Sequence, residues 1–383
     1  MIRQSGEASV LVLQGGGALG AYQAGVYQAL AAASVVPEWV AGISIGAINA
    51  ALIAGNPPER RVERLQNFWH TVSSGLVAEP ILADDRFRKI FNETSAALVA
   101  ANGVPGFFEP RFPPALLMPP GALEAISVYD TSPLRNTLLE LVDFDLLNSG
   151  PVRYSVGAVE VTSGNMHYFD NRRDVITPEH VMASAALPPG FPPVVVDGVA
   201  YWDGGLVSNT PLQYVLDDGA PREDMCVFQI DLFSAKGPMP QTLFDVAQRE
   251  KNIRYSSRTR LNTDVFRKLQ SMRRAILRLE RRIPRELRDS KDWRLVSRFG
   301  CDAAITIVHL IHRRDSYWAQ SSDYEFSRYT IEEHWRDGMH DVRQTLSHPT
   351  WIARERPDEG VMVLDLTKKS EADPQTPKLE AAQ

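Results

Sequence analysis

Residues 9–15, SVLVLQG, form a short apolar run that ends in glycine. A run of this length, bounded by turn residues, reads as a buried strand. After the glycines, AYQAGVYQALAAA is alanine-rich and reads as a helix. VPEWVAGI then reads as a second strand and IGAINAALIAG as a second helix. Strand, loop, helix, strand, helix in that order predicts a parallel sheet with covering helices. Residues 57–99 read as helical. So does 127–148, where Asp130 or Ser132 is a cap candidate before Pro133. VRYSVGAVEV reads as a strand, and HVMASAALPPGFPPVVV as helix, proline-rich turn and strand. VDGVAYWDGG reads as a hairpin turning at Asp197-Gly198. PLQYVLDDG is a helix and MCVFQIDLF another buried strand, after which the alternation is read as ending near residue 233.

From about 241 to 300 the pattern is helical and basic. Leu261, Val265, Leu269, Met272, Ile276, Leu279 and Ile283 recur at spacings of three and four, which predicts one apolar stripe on a long helix ending near Pro284. CDAAITIVHLIH reads as a late strand and YEFSRYTIEEHWRDGMHDVRQTL as a closing helix. The chain is thus divided into a body at 8–233, a mainly helical C-terminal part at 241–368, and a polar tail at 369–383 expected to be disordered. Prolines interrupt every regular reading of residues 102–121 (NGVPGFFEPRFPPALLMPPG), yet the stretch is rich in Phe, Leu and Met. It reads as a packed surface loop, or as a lid or lipid-contacting flap.

Composition narrows the classes. Of 383 residues, 44% are hydrophobic and 23% charged, ordinary for a soluble globular chain. No apolar run reaches the ~18 residues of a membrane span. The first residues, MIRQSGEAS, lack the apolar middle and cleavage site of a secretory signal. Cys226 and Cys301 give neither a disulfide framework nor zinc spacing. A cytoplasmic location is expected, with attachment to a membrane surface as its variant. Net charge is −6, but residues 249–298 hold 17 Lys and Arg against 6 Asp and Glu. The basic helix at 261–283 is expected to dock on the body or on a second subunit, so that the C-terminal helices offer a route to oligomers. Its other reading is peripheral contact with anionic lipid. Nucleic acid is not expected, because the rest of the chain is acidic and shows no recognition module.

The glycine-rich QGGGALG fits G-x-G-x-x-G through Gly15, Gly17 and Gly20. A dinucleotide site also wants an acidic residue at the end of the second strand. That strand ends instead in Gly42-Ile43-Ser44, and Glu38 sits at its beginning. No Lys-Ser or Lys-Thr follows the glycines, so a P-loop is excluded. The remaining use is anion stabilisation. Bare N–H groups at a helix N-terminus favour negative charge, and one oxyanion donor is worth on the order of 3 kcal/mol to acyl transfer. Ser44, in AGISIGAINA, follows a strand and precedes a helix with small neighbours, as a nucleophile elbow requires. A serine needs a base. None of the eight histidines lies in a glycine-flanked loop. Asp203, in YWDGGLVSNTPL, ends a hairpin strand ahead of two glycines and a helix. A carboxylate there acts as a base only with a close hydrogen bond in a sheltered site.

QGGGALG, GISIG and DGG, in this order, together with ASAALPPGFPPV at 183–194, resemble the patatin-like phospholipases over roughly residues 8–233. The resemblance implies a three-layer α/β/α sandwich with a mostly parallel sheet. It implies hydrolysis of acyl esters of phospholipids or neutral lipids by a Ser-Asp dyad, with no metal, no cofactor and no histidine. Carried over, Ser44 is the nucleophile between Gly42 and Gly46, and Asp203, followed by Gly204 and Gly205, is the base. Gly15, Gly16, Gly17 and Gly20 form the oxyanion loop, with the N–H groups of Gly16 and Gly17 as donors. Many members carry Arg or Lys before the last glycine of that loop, where this chain has Leu19. A cation for a phosphate head group is missing there, which leaves neutral and small esters open. The C-terminal part is similar to an extension on a bacterial subgroup, and the resemblance gives it no activity.

Overall fold

The computed structural model describes residues 6–77, 85–217, 223–257, 259–313 and 323–367, so the tail expected at 369–383 lies outside the described residues. Nine strands form one sheet: β1 (Ala8–Leu13), β2 (Trp39–Gly42), β3 (Arg153–Glu160), β4 (Met166–Asp170), β5 (Val194–Val196), β6 (Val199–Asp203), β7 (Met225–Asp231), β8 (Ile305–Ile311) and β9 (Val361–Leu364). The order is β9-β8-β7-β1-β2-β3-β6-β5, with β4 also on β3. From β9 to β3 every pairing is parallel; the β3–β4, β3–β6 and β6–β5 pairings are antiparallel. β1 and β7 are buried along their whole length, which is why their sequences are continuous apolar runs. Leu11 and Leu13 of β1 enter one apolar cluster, and Val10 and Val12 the other. Both faces of the sheet are therefore covered.

The alternation does not stop at residue 233. β8 pairs with β7 from Ile305↔Met225 to Ile311↔Asp231, and β9 extends the same sheet. The long basic stretch between β7 and β8 hides this continuation from a strand-by-strand reading. The closing helix, Arg328–Ser347, lies on the helix Ala21–Ala32 that follows the glycine loop. Glycines let the two backbones meet. A Cβ on Gly25 would fall 1.9 Å from the Trp335 carbonyl oxygen, and one on Gly338 2.1 Å from that of Tyr22. The Tyr22 hydroxyl donates to Asp341 at 2.7 Å, and Trp335 Nε1 to Gln28 at 2.6 Å.

The apolar stripe on the basic helix, observed at Thr259–Glu280, is not docked along its length. Among its described side chains Phe266, Gln270 and Arg273 are buried, whereas Val265, Met272 and Leu279 are each more than half exposed. Polar anchors set this rotation. Gln270 Nε2 donates to the Ala303 carbonyl at 2.8 Å, and the Arg274 guanidinium to that of Asp302 at 3.1 Å, while Phe266 packs with Ile305 and Ile307 of β8.

Candidate active site

Ser44 stands where β2 gives way to the helix Ile45–Ala54, at φ 55° and ψ −126°. A side chain rarely adopts positive φ, and such strain persists only where the surroundings enforce it. Here close packing enforces it. A Cβ on Gly42 would lie 2.3 Å from the Gly46 carbonyl oxygen, and one on Gly46 2.4 Å from that of Leu13. The Ser44 N–H donates to Ser184 Oγ at 2.9 Å, and that hydroxyl donates to the Gly157 carbonyl at 2.6 Å. Ser184 thus ties the elbow to β3. It lies in ASAALPPG, the block flagged by resemblance, but its own type gave no signal.

Asp203 ends β6 and is 2% exposed. Burial drives its carboxyl up to about 7, while the neighbouring Ser44 hydroxyl and the Gly205 N–H, which donates to it at 2.7 Å, pull the other way. The two glycines after it permit this turn. A Cβ on Gly204 would meet the Gly157 carbonyl oxygen at 2.6 Å, and one on Gly205 would meet Asn209 Oδ1 at 2.8 Å.

The glycine loop divides its four members. Gly15 sits beside the serine, with a would-be Cβ 3.0 Å from Ser44 Cβ, but its N–H already donates to the Asn209 carbonyl at 3.1 Å. Among the described residues, the N–H groups of Gly16 and Gly17 have no acceptor. Gly17 opens a 3-10 turn at φ 55° that leads into the helix Ala21–Ala32. Gly20 is away from the pocket: a Cβ there would strike Ile45 at 2.5 Å, and its carbonyl accepts from Asn49 Nδ2. Its glycine serves helix packing. Leu19 is fully buried.

Ser44, Asp203 and Gly15–Gly17 line one pocket with about 830 Å³ of empty space, part of it open to solvent. Phe107, Phe108, Tyr129 and Phe191 make one aromatic wall, the rings of Phe108 and Phe191 5.0 Å apart. Phe107 and Phe108 belong to the predicted flap. Beyond them the chain turns outward, and Phe112 and Leu116 are almost wholly exposed. The other wall comes from the C-terminal part: Lys251 and Tyr255 on the helix Leu243–Tyr255, then Asp323, Tyr324 and Phe326. Burial first, then the charges of Asp203 and Asp323, push the Tyr255 hydroxyl above its ordinary range. Among the described residues no histidine lines the pocket. Gln14 holds the walls in place: its Oε1 accepts from Leu232 and Phe233, and its Nε2 donates to Thr210 and to the Tyr255 carbonyl.

His312, His334 and Asp337 each bring one possible metal-ligand atom within 4.8 Å of the others, and none of them lines the pocket. The pocket itself holds a hydroxyl, a carboxylate of raised pKa and two uncommitted N–H groups. These are the parts of an acyl-transfer site.

No curated protein sequence matches the chain. Among solved structures, VipD from Legionella pneumophila is similar at 16% identity and a TM-score of 0.39, covering 89% of this chain and 66% of its own. The type III effector protein ExoU is similar at 15% identity and a TM-score of 0.23, covering 66% of this chain and 52% of its own. The chain therefore spans less than two thirds of either, and at these scores the likeness is partial. The family profiles are firmer. One described as patatin phospholipase matches residues 253–358, and that of the patatin-like phospholipases matches residues 11–216, more than half of the chain. The chain belongs to the patatin-like phospholipase family.

Proposed function

We propose that the protein is a serine lipid acyl hydrolase that cleaves carboxylic esters of phospholipids or related lipids through an acyl-enzyme. Ser44 Oγ attacks the ester carbonyl while its proton passes to the Asp203 carboxylate. The carbonyl electrons collect on an oxyanion held by the N–H groups of Gly16 and Gly17 at the start of the helical turn. The tetrahedral intermediate collapses, the ester C–O bond breaks, and Asp203 returns the proton to the departing alkoxide. Water then gives a proton to Asp203 and its oxygen to the acyl carbon. A second collapse frees the fatty acid and re-protonates Ser44. The observation that supports this reading is a serine at strained φ and a buried carboxylate of pKa about 7 lining the same largely apolar pocket. A base near the working pH accepts the proton far better than an ordinary aspartate.

Two exposed surfaces support contact with a lipid surface. Phe112 and Leu116 project beyond the aromatic wall of the pocket; Val265, Met272 and Leu279 lie exposed on the basic helix, with Arg278 exposed near its end and Arg281 and Arg282 exposed just after it. Apolar residues flanked by cations fit an anionic bilayer surface. Ser44→Ala removes turnover of a short-chain nitrophenyl ester, by at least about a thousandfold. A purified Ser44→Ala protein that retains wild-type turnover contradicts the assignment.

A further inference from the structure

Apart from Asp203, the charged side chains among the described lining of the pocket are Lys251 and Asp323. Lys251 Nζ lies 2.5 Å from Asp323 Oδ1, and the two side chains are only 17% and 12% exposed. The ammonium also lies 5.2 Å from the Tyr324 ring centroid. Both partners are held to the catalytic loops through the main chain. The Tyr255 carbonyl, four residues beyond Lys251 on its helix, accepts from Gln14 Nε2 at 3.1 Å and Asn209 Nδ2 at 2.9 Å. The Asp323 carbonyl accepts from the Ala18 N–H at 2.9 Å, and a Cβ on Gly17 would come within 2.2 Å of it. The pair is therefore fixed relative to the reacting serine.

On the hydrolase reading above, we infer that Lys251 and Asp323 act as a charge filter, directing the pocket to uncharged esters such as acylglycerols and against anionic phospholipids. An anionic head group entering this pocket meets a lysine already neutralised and two carboxyl groups. To recruit the ammonium it must break a sheltered ion pair and leave Asp323 unpaired, which is costly where water is scarce. An uncharged ester leaves the pair intact and finds the remaining wall aromatic. The discrimination thus rests on rejection of the wrong charge as well as attraction of the right one.

The test uses the full chain with dioleoylglycerol and dioleoylphosphatidylglycerol in neutral detergent micelles, so that attraction to a charged surface does not enter. Released oleate gives kcat/KM for each. The wild type prefers the uncharged ester by about tenfold or more. Asp323→Asn removes the carboxylate paired with the ammonium and moves that ratio toward the anionic lipid by about tenfold, whereas Lys251→Arg, which keeps the pair, leaves the ratio near wild type. Circular dichroism and Tm establish that each variant is folded, and the ratio cancels any common loss of active protein. A wild type that cleaves the anionic lipid as well as the uncharged one overturns the inference, as does a folded, active Asp323→Asn with an unmoved ratio; both leave the hydrolase reading standing. Absence of any Ser44-dependent turnover overturns that reading and the filter with it.

Discussion

The floor and the far wall of the pocket are built by different means. The floor, at Gly15–Gly17, Ser44 and Asp203, is backbone. A positive φ, bare N–H groups and glycines closer to neighbouring carbonyls than any Cβ allows define it. The wall, at Lys251, Tyr255, Asp323 and Tyr324, is side chain and charge, borrowed from the other end of the chain. A floor of this kind tolerates almost no substitution, whereas a wall of this kind can vary while the chemistry stays. On the proposed reading the floor sets the reaction and the wall selects the substrate.

The largest expected break lies in the floor. Gly46→Ala places a methyl 2.4 Å from the Leu13 carbonyl oxygen, with β1 on one side and the elbow on the other. Overpacking of this kind costs on the order of 1–3 kcal/mol or more. Thermal unfolding should show a clearly lowered Tm, together with loss of ester turnover. An unchanged Tm contradicts the packing described here.

The next effect is on pH. Asp203 accepts a proton only as carboxylate, so kcat/KM should rise about tenfold per pH unit below about 7 and level off above it. A profile already flat at pH 5 removes Asp203 as the base. Stability runs the other way. Burial raises the folded pKa from 3.8 to about 7, so the proton is held more tightly in the folded protein. Its contribution is fully present below about 4 and is lost as pH rises through about 7. Asp203→Asn should therefore match wild type in unfolding free energy at pH 4 and exceed it at pH 8, by roughly 4 kcal/mol at most. A gap that does not grow with pH contradicts the raised pKa.

Much of the floor was legible in the sequence. QGGGALG, GISIG and DGG carry backbone constraints, and only glycine or a small residue satisfies them, so residue type alone reports the geometry. Gly20 shows the limit: it matches the loop motif, yet packs against Ile45 instead of facing the pocket. The wall was not legible. Lys251 lies within a strongly basic segment where no single cation stands out, and Asp323 adjoins an unmarked polar run. Their meeting depends on β8 and β9 joining the same sheet and on Gly25 and Gly338 letting two helices touch, contacts between residues tens to hundreds of positions apart. β4 was missed as well, because MHYFD is short and mixes polar with aromatic residues. On the basic helix, periodicity found an apolar stripe, but hydrogen bonds from Gln270 and Arg274 decided which side faces in.

The smallest expected effect lies on that helix. Replacing Arg278, Arg281 and Arg282 together by Glu should weaken sedimentation with phosphatidylglycerol vesicles by about tenfold or more, at ~1 kcal/mol per cation near the surface. Undiminished sedimentation would remove the helix as the lipid contact.

The central claim is that Ser44 is a nucleophile activated by Asp203. Its most direct test is reaction with a fluorophosphonate, followed by mass spectrometry of the proteolytic peptides. The account predicts one adduct, on Ser44 within AGISIGAINA, formed rapidly by the wild type and at least a hundredfold more slowly by Asp203→Asn. An adduct on another residue, or labelling of Ser44 at an undiminished rate in Asp203→Asn, contradicts it.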